Sequence, residues 1–423
     1  MAVDRVLRVR TVRARDPGDL LAALHGPSPL AWVRRDEGLV GWGEAAVITV
    51  PGCPDRFAVA ERVLRGLFDA ASTDDHVGLP GCGPVAFGSF TFDPARDGSV
   101  VVVPSTVVGR RDGTGWITTI TPASRGTITR DEPLPAPSAA EPPDSNGLTA
   151  PRWEHAVAAA VTRIRGGGLH KVVLARDLRV TTQGPIDEMA VLKVLADRDP
   201  DCYVFACAGL IGATPELLIQ REGRQIRSRV IAGTAARGSS PAEDAAISAA
   251  LLASAKETEE HRYAAESVSH ALAQLCDNVI VDVTPSVIRL ADTHHLATTI
   301  SATLTVDASA LKLAGVLHPT AAVCGTPADA AMDLIRELES MDRGRYAGPI
   351  GWMDAHGDGE WGLALHCGEV GGSRARLFAG CGIVAGSEPA AERAEAEAKF
   401  QPMLRALGLS PDQTASWSEG VGA

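Results

Sequence analysis

No apolar run in this chain approaches the roughly 20 residues that a membrane-spanning helix needs, so no membrane partner is expected. The opening stretch, MAVDRVLRVRTVRARD, carries basic residues but no apolar core or cleavage site, and does not read as a secretory signal. The 8 cysteines, at 53, 82, 202, 207, 276, 324, 367 and 381, include no close C-x-x-C pair. That excludes a zinc ribbon or a disulfide frame and points to reduced thiols in the cytoplasm. Positive charge is also short: 40 Lys and Arg against 52 Asp and Glu leave a formal net charge of −12, which disfavours nucleic acid as a partner. An anionic small substrate would then need a local cation or metal to offset the field. Internal repeats and a glycine-rich phosphate loop are missing as well.

What is present is a chain of 423 residues and 45% hydrophobic composition, enough for a sizeable core and, on length alone, for two or three domains. Residues 131–151, DEPLPAPSAAEPPDSNGLTAP, are rich in Pro, Ser and Ala and read as an exposed connection. Before it, short runs such as LAWVRR, GLVGWGEAAVIT and VVVPSTVVG alternate with Gly and Pro, giving a strand-rich half over 1–130. Over 152–410 the pattern changes. WEHAVAAAVTRIRGGG reads as a helix stopped by glycines, HKVVLARDLRVTT as a strand, and AEDAAISAALLASAKETEEHRYAAESVSHALAQL as one long helical stretch. Further strands are expected at VIVDVTPSVIRL and RARLFAGCGIV. Helices and strands mix without a regular βαβ rhythm, so the expected class is α+β with largely antiparallel pairing.

Two stretches concentrate carboxylates. SAKETEEHRY places Glu257 and Glu260 three apart, and AERAEAEAKF does the same with Glu392 and Glu395. On a helix such residues share a face, and the like charges cost a few tenths of a kcal/mol unless something neutralises them. A hard cation such as Mg²⁺ takes oxygen ligands and would do so. A solvated acidic face is the commoner meaning of such a pair. The sequence by itself does not show that the two pairs converge.

Taken in order, HKVVLAR, GATPELLI, IAGTAARG, SAKETEEH, HHLATTI, LHPTAAVCGTP, DRGRYAGPIGW, LFAGCGIV and SEPAAERAEAEAK resemble the chorismate-utilising enzymes, the group that includes isochorismate, salicylate, anthranilate and aminodeoxychorismate synthases. These pieces span residues 170 to 399, and PVAFGSFTFD near residue 90 is similar to the family's N-terminal half. The resemblance implies one large α+β domain over 1–423, with two stacked, largely antiparallel sheets flanked by helices. It implies Mg²⁺ as cofactor, with Glu260 and Glu395 as its ligands, Glu257 and Glu392 close by, and Glu388 and Glu397 facing solvent. Chorismate and isochorismate are the implied ligands, and a monomer is expected.

The family's reactions share a start: a nucleophile adds at ring carbon 2 and the hydroxyl on carbon 4 leaves. Lys171 falls where the water-using members keep a lysine base, which requires its pKa to drop from about 10.4 by burial or nearby positive charge. Glu216 matches the general acid, which must keep its proton near neutral pH. Ala232 stands where aminodeoxychorismate synthases carry a nucleophilic lysine, and Ala322 where salicylate synthases carry threonine. Both point to water addition that stops at isochorismate, serving menaquinone or a catechol siderophore. Tyr346 is expected at the enolpyruvyl carboxylate; Gly233, Thr234, His295, Gly380, Gly382 and Lys399 line the substrate pocket, with His294 pointing away.

One departure stands out. His366, in GLALHCGEV, replaces an arginine that clamps the enolpyruvyl carboxylate in relatives, and Arg393 replaces a tryptophan beside the metal glutamate. Histidine offers at best one charged contact where arginine offers a permanent fork. Its charge state is then expected to make substrate binding weaken as pH rises through its pKa, unless Arg237 or Arg343 compensates. Salicylate synthase, and a homologue that binds chorismate without turning it over, stay open as alternatives.

Overall fold

Alternation in the sequence becomes alternation in burial along the first strand, Leu7–Ala14, where Leu7 and Val9 are 0% and 2% exposed and their neighbours face solvent. Longer strands that carry apolar residues on both faces, such as Lys171–Thr181 with KVVLA at its start, are covered on both sides. The computed structural model describes residues 6–122 and 149–409. The proline-rich connection therefore lies outside the described residues, except for its last three, where the helix Ala150–Arg165 begins.

The strands of the described residues form two sheets, one of 12 strands and one of 10. Each sheet interleaves the two halves of the chain. In the larger, Leu30–Arg34 pairs with Tyr203–Cys207; in the smaller, Val85–Ser89 pairs with Pro349–Asp354. Neither half can complete a sheet alone, so they make one domain, and length was a poor guide to domain number. Pairing is antiparallel among the described residues apart from Leu7–Ala14 with Ser72–Asp75. The sheets stack on a shared core in which Trp32 and Phe205 of the larger meet Leu217, Ile219 and Trp361 of the smaller. The Trp32 indole crosses between them and donates to Glu360 Oε2 at 2.9 Å. Each such fully buried apolar side chain contributes about 1.5–3 kcal/mol.

Helices cover the outer faces. Arg56–Asp69 and Ala310–Leu317 pack on each other and on the smaller sheet. Glu188–Arg198 and Pro389–Ala406 lie over the larger one, where Leu192, Leu195, Ile211, Leu377, Phe400 and Met403 form a second apolar cluster. No helix among the described residues is long and apolar enough to cross a membrane.

The alanine-rich stretch expected as one helix is two, Pro241–Ala253 and Ala255–Leu272. Ser254 breaks it: its backbone is extended at ψ 117° and its hydroxyl accepts from Glu257 N at 3.3 Å, capping the second helix. Serine's local hydrogen bonding competes with helix continuation, and that outweighs the flanking alanines. The break starts the second helix where Glu257 and Glu260 face the neighbouring sheet.

Candidate active site

Two antiparallel strand pairs, one from each sheet, face each other across a cavity. In the larger sheet Val173 lies opposite Gly382 and Ala175 opposite Gly380; in the smaller, Thr234 lies opposite His295. The cavity wall contains Gly233, Thr234, Glu260, His295, Ala322, Tyr346, His366, Gly380, Gly382 and Lys399, all singled out from the sequence. It also contains Ala232, Pro215 and Phe378. Phe378 went unnoticed; its ring stacks under Tyr346 with centroids 5.0 Å apart and fixes the tyrosine's orientation. Its position, two residues before Gly380 on an alternating strand, was the available signal.

Glycine is required where the wall is tightest. A Cβ on Gly382 would meet Glu260 Oε1 at 1.9 Å and Lys171 Cε at 3.0 Å. Gly233 sits at a register shift in its strand with φ +80°, a left-handed backbone that favours glycine. The bulge turns Thr234 N to donate to Glu257 Oε2 at 2.9 Å and leaves the Thr234 hydroxyl 3.1 Å from His295 Nδ1. The other imidazole nitrogen of His295 meets Thr293 at 2.8 Å. Burial above all, then His366 and Lys399, push the His295 pKa well below its ordinary value, so the ring is neutral. His294 turns to the opposite side and bonds Asp244 at 2.8 Å.

Lys171 and Glu216 stand just behind this wall, 0% and 2% exposed. Lys171 Nζ has Glu260 Oε1 as its ion-pair partner at 3.2 Å. Among the described residues Glu216 Oε2 has no hydrogen-bond partner, and burial lifts this carboxyl from its ordinary 4.5 to about 8 against the opposing pull of Lys171 and Arg229. At neutral pH Glu216 is a protonated acid. The turn that carries it is tied down by Arg229 Nε, which donates to Pro215 O at 2.9 Å.

The four glutamates of the two stretches converge. Ala255–Leu272 presents Glu257 and Glu260, and Pro389–Ala406 presents Glu392 and Glu395. Among the described residues three lysines face these four carboxylates: Lys171 pairs with Glu260 at 3.2 Å, Lys256 with Glu257 at 3.0 Å and Glu392 at 2.8 Å, and Lys399 with Glu395 at 2.6 Å. Burial and the adjacent carboxylate raise Glu257, and raise Glu392 to about 7. The cluster is thus short of positive charge, and its all-oxygen donors suit a hard divalent cation. Cys381 Sγ lies within 4.8 Å of ligand atoms of Glu392 and Glu395, but burial holds its thiol protonated, so it is a poor ligand. Glu388 and Glu397 are exposed, outside the cluster. Arg393 pairs with Glu154 at 3.1 Å and points away from it. Lys256 was not singled out from the sequence; its place beside Glu257 in SAKETEEH was the signal.

His366 corrects an expectation. It lies in the wall, 6.1 Å from the His295 ring centroid, with a left-handed backbone at φ +46°. Burial, followed by Lys399, depresses its pKa to about 4, so a neutral ring is the expected form from pH 6 to 8. Neither proposed substitute is free. Arg237 is outside the wall, held by Asp244 at 2.6 and 2.9 Å and by Leu290 O. Arg343 reaches the wall, but its guanidinium is engaged by Glu339 at 2.9 Å and by the Val323 and Val173 carbonyls, each at 2.8 Å. The cation that faces the cavity beside His366 is Lys399, which also donates to Gly380 O at 3.0 Å. Burial works against its charge, yet Glu395 raises its pKa on balance. His366→Arg is expected to lower KM for a dianionic substrate severalfold, worth about 1 kcal/mol. Wild-type KM should show no step near pH 6.5. Steady-state KM from pH 6 to 8 for both proteins checks this, and a wild-type step at 6.5 would return the charge to His366.

The family model described as chorismate binding enzyme matches residues 9–408. An isochorismate synthase of Bacillus subtilis is 40% identical over 269 residues, spanning 61% of this chain and 68% of that protein. The vibriobactin-specific isochorismate synthase of Vibrio cholerae is 37% identical over 264 residues, 61% of this chain and 67% of that protein. The solved structure of the menaquinone-specific isochorismate synthase of Escherichia coli superposes with a TM-score of 0.74 at 25% identity, covering 95% of both chains.

Proposed function

This chain belongs to the chorismate-binding enzymes, and on that premise we propose that it is an isochorismate synthase acting through Lys171 and Glu216. The observation that carries the assignment of roles is the buried pair behind the cavity wall: an amine with no exposed surface and a carboxyl that keeps its proton to about pH 8. Lys171, as the neutral amine once Glu260 is turned to the metal, takes a proton from water as the oxygen bonds to ring carbon 2. The ring double bond shifts, the carbon 4–oxygen bond breaks, and Glu216 delivers its proton to the departing hydroxide. One water enters and one leaves, so the reaction is an isomerisation; the proton gained by Lys171 and lost by Glu216 is returned through solvent.

Glu260 and Glu395 would hold a Mg²⁺ ion, which when bound supplies positive charge to the ring carboxylate of the substrate. Tyr346, Lys399 and neutral His366 would receive the enolpyruvyl carboxylate. Ala322 in the wall leaves the small apolar contact expected of an enzyme that stops at isochorismate. The enzyme is proposed to work as a monomer in the cytoplasm, where its free cysteines would stay reduced, and to feed menaquinone or siderophore synthesis.

Incubation of the purified protein with chorismate and Mg²⁺, with products separated by chromatography, tests the reading. Isochorismate should accumulate to a constant ratio with chorismate, and no pyruvate should appear. Salicylate with stoichiometric pyruvate would make it a salicylate synthase. Binding without turnover would make it a non-catalytic homologue.

A further inference from the structure

Lys256 opens the Ala255–Leu272 helix, yet its ammonium reaches the other acidic helix: Nζ lies 2.8 Å from Glu392 and 3.0 Å from Glu257. Glu392 is 1% exposed, and its side chain could not exchange this partner for bulk water. Lys171 and Lys399 each serve one carboxylate of the cluster, Glu260 and Glu395. Lys256 alone among the described residues joins the two helices through two carboxylates. We propose that Lys256 is a built-in competitor for the divalent cation: its single ammonium holds Glu257 and Glu392 together across the two helices, where Lys171 and Lys399 each hold one carboxylate.

This inference rests on the metal reading given above and adds a role for the one lysine that spans both acidic helices. A hard cation's affinity rises with the number of charged oxygens that reach it. Four carboxylates would bind it tightly and leave few positions for a substrate oxygen. A fixed ammonium beside the site lowers affinity twice, by occupying two ligands and by repelling the ion through a medium of low effective dielectric constant. The outcome is a weakly held ion whose shell stays open to the substrate carboxylate. Lys256 is in this sense a positioning residue, acting through Glu257 and Glu392.

The test uses Mn²⁺ as the probe, titrated calorimetrically into the full-length protein without substrate. Wild type should bind one ion per chain weakly. Lys256→Met and Lys256→Gln should each bind it roughly tenfold tighter or more, and Lys256→Arg, which keeps the charge, should stay near wild type. Thermal unfolding gives an independent readout should one variant fold poorly: Mn²⁺ should raise the melting temperature of the Met and Gln variants more than that of wild type. Equal or weaker binding by Lys256→Met and Lys256→Gln, with wild-type binding intact, overturns the role of Lys256 and leaves the metal site standing. Absence of Mn²⁺ binding by wild type overturns both.

Discussion

Glu216→Gln should lower kcat by about 10²–10⁴, the range associated with loss of a positioned general acid, and Lys171→Ala should fall in the same range. Glutamine preserves shape and can still donate a hydrogen bond, but it has no proton to give to the departing hydroxyl. The wild-type rate should decline as pH rises through about 8, where burial has placed this carboxyl's pKa, and that alkaline decline should be missing from the residual activity of Glu216→Gln. Stability also falls as pH rises, over a wider range. Below the ordinary value of 4.5 folded and unfolded chains both hold the proton. Between 4.5 and about 8 the unfolded chain releases a proton that the folded chain keeps, so stability is lost progressively and the loss is complete above about 8. Removing the acid removes a penalty on the order of 3–5 kcal/mol at alkaline pH. Glu216→Gln should therefore melt higher than wild type at pH 8 and differ much less at pH 5. Steady-state rates from pH 6 to 9.5 and calorimetric melting at both pH values check the two halves. Near-wild-type kcat in Glu216→Gln would assign the acid to another group.

Chelation should be as damaging. Excess EDTA is expected to bring turnover to background, and added Mg²⁺ to restore it. Glu395→Ala should lose at least about 10²–10³ in kcat, the scale of a lost electrostatic clamp, with no restoration by Mg²⁺ at accessible concentrations. The variant also frees Lys399 from its 2.6 Å partner, leaving a cation beside the cavity. Substrate should still bind, and retained chorismate binding with absent turnover separates loss of chemistry from loss of the pocket. Undiminished activity in excess chelator would remove the cation from the reaction and leave the four glutamates to be explained by their lysines alone.

How much of this was written in the chain differs by level. The strand and helix types follow from local periodicity, as in the 11 residues of Lys171–Thr181 and the alternation of Leu7–Ala14. The ordered motifs from HKVVLAR to SEPAAERAEAEAK identify the family, and every pocket residue they designate lies at or just behind one cavity wall. The helix break at Ser254 was readable too, since a serine three residues before Glu257 is a capping pattern, but the alanine-rich flanks concealed it.

Sequence alone determined which chemical groups the protein owns and which of them share a strand or helix face, because those relations depend only on spacing and backbone geometry. Tertiary structure decided their charge states and partners, which depend on groups distant in the chain and on exclusion of water. Glu216 becomes an acid poised near 8 because two sheets close over it. His366 becomes a neutral contact, not a switch, because it is buried beside Lys399, 33 positions away in the chain. Arg237 is withdrawn from the cavity by Asp244. The two E-x-x-E stretches become one site only because their helices pack against neighbouring strands of the two sheets, and that convergence no spacing within either helix could specify.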